Sequence, residues 1–381
     1  MGPVRIGILG CGHVSDQYFA GLALHDHLSV VACADLDAAR AERKAAEHRI
    51  ARACSPERLL DDPEVDLVVN LTPPQAHAGA SLAAIEAGKH VWSEKPLAAT
   101  LAEASELVDA AAAAGVRLGC APDTFLGGGI QTAVKLVRDG WIGETVSGGV
   151  ALVTEHGYEH FHPDVHSFYR KGGGPVLDLG PYYVTALVAL LGPVASATAL
   201  ARATFAERTL GAGPRRGERI AVEVPTHLTG ALEFECGALV TVLMSWDVWA
   251  TNLPYLELYG SEGSVSIANP DEFGGEPRLR RAGREELEQP PPPPGSVHWS
   301  PVPLVRPGDV GRGIGVADIA QAIREERPHR ASGELAYHVL EALTGLERSA
   351  AEGRRIAIES RCERPAPLGE PIPPLAGSGP K

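Results

Sequence analysis

The chain has 381 residues and a formal net charge of −14, and 44% of its residues are hydrophobic against 22% charged. This length favours two domains over one, and the composition is typical of a globular protein. The negative charge comes without any block of lysines or arginines, which argues against nucleic acid or an anionic membrane as the main partner. A phosphate-bearing cofactor stays open, because backbone N–H groups at a helix start bind anions without net positive charge.

No apolar run reaches the length that spans a membrane, and the first one leads straight into a glycine turn, unlike a secretion signal. The six cysteines are scattered and form no C-x-x-C pair, at positions 11, 33, 54, 120, 236 and 362. This pattern predicts neither a metal cluster nor a disulfide framework, and it favours a reducing cytoplasm.

Strand-like and helix-like segments alternate over the first 123 residues. The strand-like segments are 4–9, 29–35, 65–72, 89–94 and 117–122, and the helical patterns are 14–24, 37–48, 76–87 and 100–114. Continuous apolar strands separated by helices predict a doubly wound parallel sheet with helices on both faces. We therefore predict a first α/β domain over 1–123, whose ligands bind beyond the carboxyl ends of the strands.

The pattern changes after Gly127 to longer segments in which apolar and polar residues alternate. These segments are 145–156, 194–205, 222–235, 238–249 and 255–267, and helical patterns cover 130–139, 178–191, 315–326 and 333–353. They predict an α+β domain over 124–365, with a large, mostly antiparallel sheet that has one face open to solvent. The proline run in 286–296 predicts an exposed loop, and 366–381 is a proline-rich tail.

A nucleotide fingerprint follows the first strand. Gly10 and Gly12 form a G-x-G turn, and the third position of the G-x-G-x-x-G pattern is Ser15. Serine is small enough for the helix–strand packing that the third glycine serves. His13 and Val14 lie where the next helix starts, and the amides of that helix start would face a pyrophosphate. The alternative is a strand-to-helix turn that binds no ligand.

Asp35 ends the second strand about 25 residues after Gly10, where the fingerprint places the acid that binds the ribose hydroxyls. A carboxylate there would repel the extra phosphate of NADP, so NAD is favoured. Arg40 lies one helical turn further on, which leaves NADP possible but less favoured. A helix N-cap is the other interpretation of Asp35.

The segment "NLTPPQAHAGASLAAIEAGKHVWSEKPLA" (70–98) contains two strand ends that open onto the same crevice. Thr72 and Pro73 make a stiff turn near the expected nicotinamide ribose. The next strand ends at Glu94 and Lys95, so the lysine is aimed at the site, and Pro96 favours a cis Lys95–Pro96 bond. Glu94 either faces the nicotinamide or pairs with a nearby base. A surface turn is the alternative for this motif.

These motifs, together with "GGGPVLDLGPYYVTALVALLGPV" (172–194), resemble the glucose–fructose oxidoreductase, inositol dehydrogenase and MocA family over nearly the whole chain. The resemblance implies a Rossmann domain that carries an open-faced sheet domain, and oxidation or reduction of secondary alcohols of sugars and cyclitols with NAD or NADP. It also implies a homodimer or homotetramer formed through that sheet. The cofactor residues it implies are Gly10, Gly12, His13, Val14, Asp35, Thr72, Pro73, His77, Glu94 and Lys95.

Asp178 lies four residues before Tyr182, and that spacing places both on one face of a helix. The family motif is similar, with an Asp followed four residues on by a His, although some relatives also carry Tyr there. Lys95 would polarise the substrate oxygen and lower the pKa of a nearby tyrosine, so that Tyr182 or Lys95 relays the proton. Asp178 would orient the sugar or the lysine. Alternatively, Tyr182 and Tyr183 are core aromatics and Asp178 caps a helix.

Four histidines are clustered in the second domain, at positions 156, 160, 162 and 166. Their spacing is not that of H-E-x-x-H, and we predict no metal site. They form either a substrate-side loop, with His156 and His162 as the predicted substrate contacts, or a solvated loop. Asp123 is also predicted to face the crevice, with Thr124. Arg312 would reach a substrate or brace a helix start.

The leading hypothesis is therefore an NAD-dependent dehydrogenase or reductase of a sugar, sugar derivative or cyclitol. A second hypothesis keeps NAD bound through an internal redox cycle, which gives glycoside cleavage or epimerisation without net redox change. A third is a ligand-sensing protein without catalysis. The presence of Lys95, Asp178 and Tyr182 counts against this last hypothesis.

Overall fold

A computed structural model describes residues 2–144, 146–154, 157–161, 165–281, 298–305 and 311–368. His156, His162, the predicted loop 286–296 and most of the predicted tail lie outside the described residues. The chain forms two compact units, one of Met1–Leu126 with Asp309–Leu340, and one of Gly127–Gly308 with Glu341–Lys381.

The first unit contains a six-stranded sheet in which all pairs are parallel. Its strands are β1 (Val4–Leu9), β2 (Leu28–Ala34), β3 (Arg52–Cys54), β4 (Leu67–Asn70), β5 (His90–Ser93) and β6 (Leu118–Cys120), in the order β3-β2-β1-β4-β5-β6. The predicted doubly wound sheet is confirmed. β3 was not predicted, because a strand of three residues is too short to show a hydrophobic pattern. It is an edge strand that pairs with β2 alone in this sheet.

Five helices connect these strands: α1 (Ser15–Leu22), α2 (Ala38–His48), α3 (Pro56–Leu60), α4 (His77–Glu86) and α5 (Leu101–Ala114). Local chemistry sets their ends. Asp37 caps α2 by accepting from the Arg40 amide, and Thr100 with Glu103 forms a capping box at the start of α5. Gly115 ends α5 in the left-handed conformation. Such local signals explain why α2 and α5 were predicted within a residue.

The second unit contains a nine-stranded sheet and a small antiparallel pair. The large sheet has the order β16-β15-β14-β13-β7-β12-β11-β8-β17, formed by β7 (Val146–Thr154), β8 (Val194–Arg202), β11 (His227–Phe234), β12 (Leu239–Ser245), β13 (Leu256–Gly260), β14 (Gly263–Ile267), β15 (Arg278–Arg281), β16 (Ser300–Pro301) and β17 (Ile356–Ala357). The small pair is β9 (Glu207–Thr209) and β10 (Arg219–Ala221). Among the described strand pairs of this second unit, only β7–β12 is parallel, so the predicted mostly antiparallel sheet is confirmed.

One face of this sheet is buried and the other is exposed, as the alternating pattern predicted. In β12, Val240, Val242 and Met244 are buried, whereas Leu239 and Thr241, which point to the other face, are exposed. The predicted strand 255–267 is in fact a hairpin of β13 and β14, because a turn at 261–262 reverses the chain.

The remaining helices are α6 (Gly128–Arg138), α7 (Tyr158–Phe161), α8 (Gly174–Asp178), α9 (Gly180–Leu191), α10 (Ile314–Glu325) and α11 (Gly333–Glu352). The predicted helix 178–191 is confirmed from Gly180 to Leu191. Asp178 instead ends α8, since Pro181 has no N–H to donate to the preceding turn. α10 groups with the first unit, whereas the predicted division placed it in the second domain. No helix within the described ranges is long and apolar enough to cross a membrane.

Candidate active site

The fingerprint turn has the backbone that a dinucleotide needs. Gly10 has φ +99°, and a Cβ there would lie 2.7 Å from the carbonyl of Leu71. A Cβ on Gly12 would instead meet nothing within 4 Å, so the chain leaves open space directly before α1. Ser15 takes the third glycine position, is fully buried and donates its hydroxyl to the Gly12 carbonyl at 2.6 Å. His13 is exposed and Val14 half-buried at the start of α1.

Asp35 is oriented by the same turn. Its Oδ2 accepts from the Cys11 amide at 2.9 Å and its Oδ1 from the Asp37 amide at 2.9 Å. Burial alone would raise the pKa of Asp35, but these two amides and the nearby Arg40 guanidinium hold it below its usual value. The carboxylate is therefore charged, and its oxygens are acceptors of the kind that ribose hydroxyls need. Asp37 rather than Asp35 caps α2.

These features fit NAD. The open space at Gly12 admits a pyrophosphate close to the backbone, and the ionised Asp35 matches the two ribose hydroxyls of the adenosine half. Arg40 lies 3.4 Å from both oxygens of Asp35, so its charge is directed at that carboxylate. The structure therefore supports the predicted preference for NAD over NADP.

His77 joins two of the strand-end turns. It is buried, one ring nitrogen lies 2.8 Å from the Thr72 carbonyl, and the other lies 2.7 Å from the Pro96 carbonyl. Thr72 in turn donates to Asn70 at 2.7 Å. Because both ring nitrogens of His77 are used inside the protein, we propose that it positions these turns rather than touching the cofactor.

Glu94 and Lys95 directly follow β5. The Lys95–Pro96 bond is cis, as predicted. Glu94 is buried and accepts from Tyr18 Oη at 2.9 Å, from Arg312 Nη1 at 3.0 Å and from its neighbour Lys95 N at 2.9 Å. Of its two predicted roles, Glu94 therefore fills the second, because it pairs with a base, Arg312. Lys95, the next residue, is half-buried.

Asp123 follows β6 and is completely buried. Its Oδ2 accepts from the amides of Gly313 and Gly315 at 2.9 and 3.1 Å, at the start of α10. Burial raises the pKa of Asp123 to about 6. Its Oδ1 and the Thr124 hydroxyl are buried and have no hydrogen-bond partner among the residues that the structure describes. Asp123 thus caps a helix of its own unit.

Five parallel strand ends carry these groups, since Gly10, Asp35, Thr72, Glu94 and Asp123 each follow a strand of the same sheet. The carboxyl ends of parallel strands share one edge, which is the ligand edge of a doubly wound fold. The first unit therefore assembles the predicted cofactor residues and Lys95 at that edge.

Asp178 and Tyr182 lie in the second unit, at the end of α8 and in the first turn of α9. Tyr158 Oη donates to Asp178 Oδ2 at 3.3 Å, a contact that the sequence did not predict. The hydroxyl of Tyr183 pairs with Asn269 Oδ1 at 3.1 Å, so it has a structural partner.

A buried ionic group near Tyr158 was missed from the sequence. Arg208 binds both Glu159 and Asp247, and Tyr169 Oη donates to Glu159 at 2.7 Å. Tyr169 also packs in an aromatic cluster with Tyr158, Phe168 and Trp246. Of the other clustered histidines, His160 is mostly exposed and His166 half-buried. The ionic group was missed because Glu159, Arg208 and Asp247 are far apart in the chain and share no local sequence pattern.

Two family models match the chain. The NAD-binding Rossmann fold of the GFO_IDH_MocA oxidoreductase family matches residues 4–121, and the GFO/IDH/MocA C-terminal domain matches residues 130–266. The chain therefore belongs to the Gfo/Idh/MocA family of NAD-dependent oxidoreductases, and the resemblance seen in its motifs is confirmed.

Among named relatives, dTDP-3,4-didehydro-2,6-dideoxy-alpha-D-glucose 3-reductase of Saccharopolyspora spinosa is 31% identical over 84% of this chain and 91% of that protein. The uncharacterized oxidoreductase YdgJ of Escherichia coli is also 31% identical, but the match covers 52% of this chain and only 57% of that protein. The crystal structure of an NAD binding oxidoreductase from Klebsiella pneumoniae shares the fold, with a TM-score of 0.80, 23% identity, and coverage of 94% of this chain and 100% of that one.

Proposed function

We propose that this chain transfers a hydride between NAD and a secondary alcohol or ketone of a sugar, sugar derivative or cyclitol. One observation carries the proposal: Lys95 follows a strand at the same sheet edge as the fingerprint, and its neighbour Glu94 is already paired with Arg312. The printed name of the Saccharopolyspora relative, a sugar 3-reductase, supports a carbohydrate substrate.

Bound NAD supplies the hydride acceptor or donor. The residues of the chain handle the substrate oxygen and its proton. Lys95 would donate a hydrogen bond to that oxygen and stabilise the negative charge that develops on it. Tyr182 would move the proton of that oxygen. Asp178, held by Tyr158, would orient the hydroxyl group that reacts.

The test is a reduction assay with NAD and with NADP against a panel of sugars, sugar acids, glycosides and inositols. Cofactor that remains bound is released from the same preparation and quantified. Steady formation of NADH with one substrate class supports the proposal and names its chemistry. If NAD is bound stoichiometrically but no net reduction occurs, the dehydrogenase proposal is replaced by the hypothesis of an internal redox cycle. Cofactor binding without any turnover of the panel or of glycosides would favour a ligand sensor.

A matched pair of variants separates the lysine from general effects of charge. Lys95→Met should abolish turnover while NAD binding persists. Lys44→Met serves as the control, because Lys44 lies on α2 of the same unit and pairs with Asp16 and Glu47. Equal activities of the two variants would contradict the proposal.

We also propose that the chain forms a homodimer or homotetramer through the exposed face of the large sheet. Leu200, Leu239 and Tyr259 on that face are strongly exposed for apolar side chains. Leu200→Lys with Leu239→Lys should then yield a monomer in light scattering, and an unchanged mass would contradict the interface. The scattered cysteines keep the cytoplasm as the predicted compartment.

A further inference from the structure

The Glu94 carboxylate is held by three donors from three parts of the first unit. Tyr18 on α1 and Arg312 before α10 both bind Oε1, and the Lys95 amide binds Oε2. Glu94 and Tyr18 are buried. A carboxylate in such a place needs a cation, because an unpaired buried charge is strongly unfavourable. Arg312 supplies that cation from 218 residues further along the chain.

Arg312 also reaches the fingerprint helix. Its Nε donates to Gln17 Oε1 at 2.9 Å, and Gln17 lies in the first turn of α1. Its Nη1 lies 3.0 Å from Glu94. One guanidinium therefore connects the helix that follows the glycine turn with the residue that precedes Lys95. Arginine suits this role because its planar group binds two acceptors in fixed directions.

The backbone around Arg312 is built for a close approach. A Cβ on Gly21 would lie 1.8 Å from the Arg312 carbonyl oxygen, and Gly313 has φ +104°. A Cβ on Gly315 would lie 2.0 Å from the Trp92 ring. Side chains at these three positions would push the segment away. The glycines therefore fix the position of the Arg312 backbone, from which its guanidinium reaches Glu94.

Asp123 secures the same segment from the other side. It accepts from the amides of Gly313 and Gly315, the residues that follow Arg312. The charges of Glu94 and Arg312 both act on Asp123 and on the buried Tyr18.

We propose that Arg312 is a positioning residue for Lys95, and that it acts through Glu94. By binding Oε1 it holds the Glu94 carboxylate in the orientation in which Oε2 receives the Lys95 amide. The inference rests on the proposed function, since it takes Lys95 as the residue that meets the substrate oxygen. The proposal adds Arg312, 218 residues after Glu94 in the chain, to the residues that support Lys95.

The test combines turnover with hydrogen exchange at the Lys95 amide, measured on peptides that contain 94–97 by mass spectrometry. Pro96 has no amide, which simplifies the assignment. Arg312→Met should speed exchange at Lys95 and lower kcat by about ten- to a hundred-fold. The Kd of NADH should change much less. Arg312→Lys keeps the charge and should recover part of both effects.

The control is Arg52→Met. Arg52 lies in the same unit, at the amino end of β3, whereas Lys95 follows the carboxyl end of β5. It pairs with two carboxylates, those of Asp62 and Glu64. It should leave kcat and the exchange of Lys95 unchanged. Glu94→Gln serves as a second route if Arg312→Met does not fold, and it should speed exchange at Lys95 in the same way.

The outcomes separate the two proposals. If Lys95→Met abolishes turnover while Arg312→Met keeps the wild-type kcat and exchange, the role of Arg312 is refuted and the proposed function stands. If no substrate is turned over, exchange alone decides. Faster exchange at Lys95 in Arg312→Met supports the positioning role, and unchanged exchange overturns it.

Discussion

The amide of Cys11 donates to the carboxylate of Asp35 at 2.9 Å. The turn that faces the pyrophosphate and the acid that faces the ribose are therefore held in register by one hydrogen bond. Cys11 lies between Gly10 and Gly12, so a change at either end of this bond affects the other.

Asp35→Ser should weaken NAD binding by about tenfold. It should also reduce the preference of the protein for NAD over NADP. The loss of a hydrogen bond to a charged group costs about 1.5–3 kcal/mol, and Arg40 is freed from Asp35 to meet a 2′-phosphate. Titration with NADH and NADPH measures both effects. Asp37→Asn is the control, because it removes a neighbouring charge but still caps α2. Equal shifts in both variants would point to a general effect of charge.

Tyr182→Phe should lower kcat by about a hundred- to ten-thousand-fold, the range for loss of a proton-transfer group. Tyr183→Phe is the matched control, since it removes the adjacent hydroxyl that pairs with Asn269. It should retain turnover and lose only some stability. Both activities are measured at saturating NAD. If Tyr183→Phe loses turnover and Tyr182→Phe keeps it, the assignment of the two tyrosines must be exchanged.

His77→Ala should destabilise the first unit by about 1–3 kcal/mol, because the buried carbonyl that accepts from the imidazole N–H loses its donor. Urea unfolding followed by fluorescence measures the free energy of unfolding. The comparison is His160→Ala, whose side chain is 59% exposed and should change this value little. Unfolding of His77→Ala at the wild-type urea concentration would contradict the bridging role.

Asp123 should make stability depend on pH between about 4 and 6. Its pKa is raised from 3.8 to about 6 in the folded state, so folded molecules bind the proton first. The unfolding free energy contributed by this group is therefore highest below pH 4 and falls as the pH rises to 6, by about 2–3 kcal/mol. Asp123→Asn should remove that slope, since an amide does not titrate. Thermal unfolding over this range measures it, and an identical slope in both proteins would exclude Asp123 as its source.

Much of the first unit was predictable because its signals are local. The glycine turn, Asp35 and the strand end at Lys95 each depend on residues within one strand–turn–helix stretch, and the structure has them at those places. The predicted helix over 178–191 begins two residues later in the structure, at Gly180, because Pro181 was not weighed as a signal for a helix start.

The amino-acid order alone determined the fold class, the cofactor and the residues of the glycine turn, since hydrophobic period and turn chemistry act over a few positions. The tertiary structure decided the partners. Glu94 meets Arg312 from 218 residues away, and His77 bridges Thr72 to Pro96. Such pairs form only when buried surfaces bring distant segments together, because a buried charge or carbonyl must find its partner wherever packing places one.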